Sequence, residues 1–200
     1  MAHRTLLIAC GAIAKELVDL KKRNGWEHLK IQCLPADWHM TPAKIPGGVR
    51  DTIEKHRADY DNIYVAYADC GTGGLLDNVI EEYGVERIPG AHCYEFFAGS
   101  KAFFEFADEE PGTFYLTDYL VRHFDRLVMG MLGLEKHPEL KDLYFGNYKK
   151  VLFLVQEPSE KLSAMAREQA EYLGLEYEEH LTGLEPFGDV LREQEIKWQN

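Results

Sequence analysis

The chain has 200 residues, a formal net charge of −12 and a hydrophobic content of 46%. It is long and apolar enough to bury a full core. The negative charge argues against general affinity for nucleic acid, because phosphate backbones bind to basic faces. No apolar run approaches the roughly 20 residues that cross a bilayer, and the run 5–9 is too short for a signal peptide. We therefore expect a cytoplasmic protein that binds neither nucleic acid nor membranes.

Strand-like and helix-like segments alternate along the chain. Strands are predicted where β-branched and aromatic residues cluster, and helices where apolar residues recur at helical spacing. Such alternation implies parallel pairing with right-handed crossovers, so we predict an α/β fold with an open, mostly parallel sheet and helices on both faces. The predicted strands are 5–9, 29–34, 62–67, 85–88, 113–117, 149–155 and 175–180. The predicted helices are 12–23, 49–60, 75–83, 97–106, 118–132, 159–173 and 187–197.

Two irregular segments interrupt this alternation. Residues 36–48 are rich in proline and glycine and long for a connector, which predicts a loop lying over the crevice at the edge of the sheet. His39, within this loop, is interpreted as solvated. A second break falls at 108–112. The chain is predicted to be a single domain over 1–200, with two closely packed halves, 1–107 and 112–200, as the alternative.

Three of the four cysteines lie near predicted strand ends. Cys10 follows the first strand, Cys70 stands between a strand and a helix, and Cys93 follows a Pro-Gly turn. In parallel sheets this edge binds ligands, because the loops leave a crevice and helix N-termini direct free N–H groups into it. Cys33, inside a predicted strand, is interpreted as a small buried hydrophobe.

These three cysteines are candidate metal ligands. Thiolates are the soft ligands that zinc and iron–sulfur clusters prefer. Tetrahedral zinc needs four ligands, or three and an open position in a catalytic site. Cys10, Cys70 and Cys93 would supply three, and His92 or Glu95 a fourth. The sequence therefore predicts a metal site, with zinc as the ion and a three-cysteine iron–sulfur cluster as the alternative.

Two other hypotheses concern the segment around Cys70. Thr72, Gly73 and Gly74 at a helix N-terminus could bind an anion through backbone N–H groups, although only part of a phosphate-binding fingerprint is present. A tight strand-to-helix turn is the alternative. Cys70 could also act as a nucleophile, activated at the helix N-terminus with His92 as the base.

Several motifs together resemble the DUF1638 family over nearly the whole chain. They are 7–11, 67–74, 90–95, 114–118 and 133–140. The resemblance implies a setting beside corrinoid-dependent methyltransferases, in one-carbon metabolism. Through the matching motifs, the resemblance also implies that the site residues are Cys10, Cys70, His92, Cys93 and Glu95.

The resulting functional prediction is a metal-binding protein acting in or alongside corrinoid-dependent methyl transfer. A corrinoid protein or methyltransferase is the expected partner, together with a small-molecule ligand. A non-enzymatic partner or metal-delivery protein is an alternative, and whether the chain is an enzyme stays open.

Overall fold

The computed structural model describes residues 3–199, apart from the side chains at positions 196, 198 and 199. The chain forms two compact units. One comprises the described residues up to Phe96 together with those from Phe187 onwards, and the other is Phe97–Pro186. Each unit has its own parallel sheet flanked by helices, which confirms the predicted α/β class.

The first unit contains a four-stranded sheet in the order β2-β1-β3-β4, with every neighbouring pair parallel. Central strand β1 is buried from Thr5 to Ala9, as expected for a parallel strand covered on both faces. The chain runs from β1 to β2 and then returns to the other side of β1 for β3. The carboxyl ends of β1 and β3 therefore flank a switch point, where open α/β sheets form a crevice. These strands are β1 (Thr5–Cys10), β2 (Leu29–Leu34), β3 (Asn62–Ala66) and β4 (Glu86–Arg87).

The second unit contains a three-stranded parallel sheet in the order β5-β6-β7. Its central strand is buried at all six positions. Two neighbouring strand ends are joined by buried hydrogen bonds: Asp118 N donates to Gln156 Oε1 at 2.8 Å, and Gln156 N donates to Asp118 Oδ1 at 3.1 Å. The strands are β5 (Thr113–Thr117), β6 (Lys150–Val155) and β7 (Glu176–Leu181).

Nine α-helices accompany these strands in the described part of the chain. The first ends at Asn24 because Gly25 adopts a left-handed conformation (φ 65°) and its N–H caps the last turn. They are α1 (Ala14–Asn24), α2 (Ile45–His56), α3 (Leu75–Tyr83), α4 (Cys93–Ala98), α5 (Ser100–Glu109), α6 (Asp118–Arg122), α7 (Lys141–Phe145), α8 (Glu160–Leu173) and α9 (Glu185–Gln199). Among residues 3–199 no helix has the length and apolar character needed to span a membrane.

Several predicted helices have different bounds in the structure, and the one predicted over 97–106 is divided into α4 and α5. The helix predicted over 49–60 begins earlier, at Ile45, because Pro46 lies in the first turn, where its missing N–H costs no hydrogen bond. The helix predicted over 118–132 is divided into α6 and a π-helical segment, Asp125–Gly130.

Candidate functional site

A small cavity lies in the first unit, at the carboxyl ends of β1 and β3. Its volume is about 30 Å³, which is room for one water molecule or a group of similar size. The lining is mostly apolar but includes three thiols, one imidazole and one phenol. The residues that form it are Cys10, Ala12, Ile13, His39, Ile45, Ala66, Tyr67, Cys70, Cys93 and Phe96.

Cys10 is the last residue of β1 and caps the short 3₁₀ turn Gly11–Ile13. Its Sγ accepts a hydrogen bond of 3.4 Å from Ala12 N. Burial raises the pKa of the Cys10 thiol, while the Ala12 N–H and the nearby Tyr67 hydroxyl offset part of that effect.

Cys70 lies in the turn between β3 and α3. Its φ of 49° makes it the only non-glycine residue with a positive φ among those described. This left-handed conformation is unfavourable for an L-residue with a side chain, and such outliers cluster at functional sites. Burial raises the pKa of Cys70 to about 12, and the neighbouring Cys10 adds to the shift. The thiol is therefore protonated at neutral pH.

The turn that carries Cys70 is organised by the carboxylate of Asp69. This carboxylate accepts hydrogen bonds from Thr72 Oγ1 at 2.7 Å, Gly74 N at 2.9 Å and Gly73 N at 3.1 Å. Burial raises the pKa of Asp69, but these three bonds outweigh it and the pKa is lowered. Thr72, Gly73 and Gly74, the candidate anion-binding group, thus already hold an internal anion. An external one would have to displace it.

Cys93 is brought to the cavity by the backbone that precedes it. Asp69 N donates to Gly90 O at 3.0 Å, and Cys70 N donates to Ala91 O at 2.8 Å. Cys93 follows two residues later, as the first residue of α4. Although the residue is partly exposed, burial of its thiol raises the pKa of Cys93 well above the ordinary value.

The two other candidate ligands near Cys93, His92 and Glu95, are not among the described residues that line the cavity. The Glu95 carboxylate accepts a hydrogen bond of 3.1 Å from Ala91 N, closing the turn before α4. His92 Nδ1 is buried and lacks a hydrogen-bond partner among the described residues. His92 lies close enough to His39 to influence the pKa of that imidazole.

His39 reaches the cavity from the loop over the sheet edge, within the 3₁₀ turn Ala36–Met40. Burial lowers the pKa of His39, and the neighbouring His92 lowers it further. The imidazole is therefore neutral at pH 7. The interpretation of His39 as a solvated loop residue missed this position. The length of the loop and its predicted place over the crevice were the sequence features that could have indicated it.

Tyr67 is a second cavity residue for which no role was predicted from the sequence. It directly follows β3 and is 2% exposed. Its Oη is buried with no hydrogen-bond partner of normal geometry in the described part of the chain, although the Cys10 thiol lies beside it. The available signal was its position at the end of a strand, three residues before Cys70.

The predicted metal site was wrong. Within residues 3–199 no group of three or more His, Cys, Asp or Glu side chains is arranged to hold a metal ion. Cys10, Cys70 and Cys93 share a cavity, but its apolar lining favours protonated thiols rather than thiolate ligands, and Glu95 is directed to Ala91 N. The prediction of a metal protein acting in methyl transfer, with zinc or an iron–sulfur cluster, is corrected accordingly.

Fold and site together define an α/β protein with a thiol-lined cavity at the edge of a parallel sheet. The model of the family described as "Protein of unknown function (DUF1638)" matches residues 33–191, and the chain belongs to this family. The matched range includes Cys70, His92 and Cys93 and begins after Cys10. No curated protein matches the chain. The family description names no activity and gives no support to a setting in corrinoid-dependent methyl transfer.

Proposed function

We propose that this protein is a thiol-dependent enzyme in which Cys70 attacks a small, uncharged electrophile. The observation that carries the proposal is the position of Cys70. Its backbone is held in a left-handed conformation at the carboxyl edge of the sheet, and its side chain lines a small cavity. A nucleophile on a strained strand-to-helix turn is a recurring arrangement in α/β enzymes. The small-molecule ligand expected from the sequence is retained in this proposal.

Cys70 needs a base in this mechanism. With its pKa near 12, the resting thiol carries a proton that must leave as the new bond to sulfur forms. His39 lines the same cavity and is neutral at pH 7, so it can accept that proton. His39 replaces His92 in this role because the cavity lining includes His39.

Alkylation of the individual cysteines by methyl iodide at pH 7.5, followed by peptide mass spectrometry, tests the proposal. Methyl iodide is uncharged, and the methyl carbon that sulfur attacks is small enough for the cavity. We expect Cys70 to react in the natural chain, and His39→Gln to slow that reaction by about 100-fold, within the usual range for a general base. Cys33 is half-buried on β2 and serves as the internal control, with an unchanged rate in both proteins. An unreactive Cys70, or an equal Cys70 rate in the variant, would contradict the proposal.

The expected corrinoid protein or methyltransferase partner stays a prediction. Co-purification of the full chain with such a protein would be the direct measurement.

A further inference from the structure

The hydroxyl of Tyr67 is a buried polar group in the wall of the cavity. The residue is 2% exposed, and apart from the Cys10 thiol beside it, Oη has no hydrogen-bond partner of normal geometry among residues 3–199. Buried hydroxyls in folded proteins are nearly always paired, and an exception calls for an explanation such as an absent ligand. Tyr67 also lines the cavity that contains Cys70. Its hydroxyl is therefore placed to meet a group that enters there.

The charge around the cavity defines what that group can be. Neither Lys nor Arg is among the lining residues that the structure describes, so a bound phosphate or carboxylate would be left without a counter-charge. Asp and Glu are likewise missing from that described lining, which disfavours a cationic ligand. The group that enters is therefore uncharged.

The protonation state of Tyr67 defines which hydrogen bond it makes. Burial raises the pKa of Tyr67, and the nearby Cys10 and Cys70 raise it further. The phenol keeps its proton and is a donor. A donor facing an uncharged group in an apolar cavity fits a carbonyl oxygen, and the volume of about 30 Å³ admits little more than the reacting end of an acyl compound.

We propose that Tyr67 is a substrate-binding residue that donates a hydrogen bond to the carbonyl oxygen of a small ester or thioester. This inference rests on the proposed role of Cys70 and adds the substrate class. Cys70 Sγ forms a bond to the carbonyl carbon while the thiol proton passes to His39. The carbonyl electron pair moves to the oxygen that Tyr67 holds. When the pair returns, the bond to the leaving alcohol or thiol breaks, and the leaving group takes the proton from His39.

The test compares two reagents on the full-length chain. p-Nitrophenyl acetate presents a carbonyl oxygen to Tyr67, whereas methyl iodide has none. We expect Tyr67→Phe to slow acetylation of Cys70 by about 100-fold to 1000-fold, as for loss of one oxyanion donor. Methylation of Cys70 should change less than about threefold. Tyr64, on β3 and outside the described cavity lining, gives the matched control Tyr64→Phe, whose acetylation rate should equal that of the natural chain.

Three results would overturn the inference, and they can be told apart. Equal acetylation rates in the natural chain and in Tyr67→Phe would show that Tyr67 does not bind the substrate, while Cys70 would still be the nucleophile. Methylation of Cys70 without any acetylation would show that the substrate is not a carbonyl compound, while Cys70 would still be the nucleophile. If neither reagent modifies Cys70, the proposed function itself fails, and this inference fails with it.

Discussion

The backbone N–H of Cys70 donates a 2.8 Å hydrogen bond to the carbonyl oxygen of Ala91. Together with the bond from Asp69 N to Gly90 O, it continues the pairing of two segments beyond the point where β3 and β4 end. Since Cys93 follows Ala91 by two residues, this bond explains how distant cysteines come to share one cavity.

The left-handed conformation of Cys70 predicts an unusual order of stability for two substitutions. Both Cys70→Gly and Cys70→Ala remove the thiol, but glycine adopts a φ of 49° without steric cost. We expect Cys70→Gly to be more stable than Cys70→Ala by about 1 kcal/mol. Urea unfolding under reducing conditions measures the difference. A more stable alanine variant would show that this backbone conformation is not retained.

Asp69 is expected to be the main polar support of the same turn. In Asp69→Ala, Thr72 Oγ1 and the N–H groups of Gly73 and Gly74 lose their common acceptor. The free energy of unfolding should fall by about 2 kcal/mol, because these bonds go to a charged group. Asp59→Ala, at an exposed position in the same unit, is the control and should change it by less than about 0.5 kcal/mol. Equal effects at both positions would count against this role.

Two adjacent glycines of α2 provide a matched pair of variants that tests how the loop carrying His39 packs against this helix. A Cβ at Gly48 would collide with the ring of Trp38, whereas one at Gly47 would meet no described atom within 4 Å. Gly48→Ala should destabilise the protein by about 1 to 3 kcal/mol and change the fluorescence of Trp38. Gly47→Ala should be neutral or stabilising by up to about 1 kcal/mol, since alanine is the better helix former. A Gly48→Ala variant as stable as Gly47→Ala would contradict the packing of Trp38.

The raised pKa of Cys70 predicts a loss of stability at alkaline pH. Above its ordinary pKa of 9.0 the thiol ionises in the unfolded chain, while the folded thiol stays protonated up to about 12. The folded state then binds more protons, so stability falls as pH rises from about 9, by up to about 1.4 kcal/mol per pH unit for one group. Cys70→Ala should show a shallower decline between pH 9 and 10.5. Urea unfolding with reductant at several pH values measures the slopes, and identical slopes would refute this assignment.

The alternation of strands and helices followed from the sequence because hydrophobic periodicity is a local property. It placed Cys70 after its strand and Cys10 within one residue of the end of β1, since both precede glycines where an apolar run stops. The division of 118–132 into α6 and a π-helical segment left no comparable local signal.

The amino-acid sequence by itself determined the α/β class and the strand ends at which chemistry can occur. Only the tertiary structure decided that β1 and β3 are neighbours and that His39 and Tyr67 join the cavity. The physical reason is that a polar side chain chooses among partners close to it in space. Those partners exist only after strand order and loop packing have brought distant segments together.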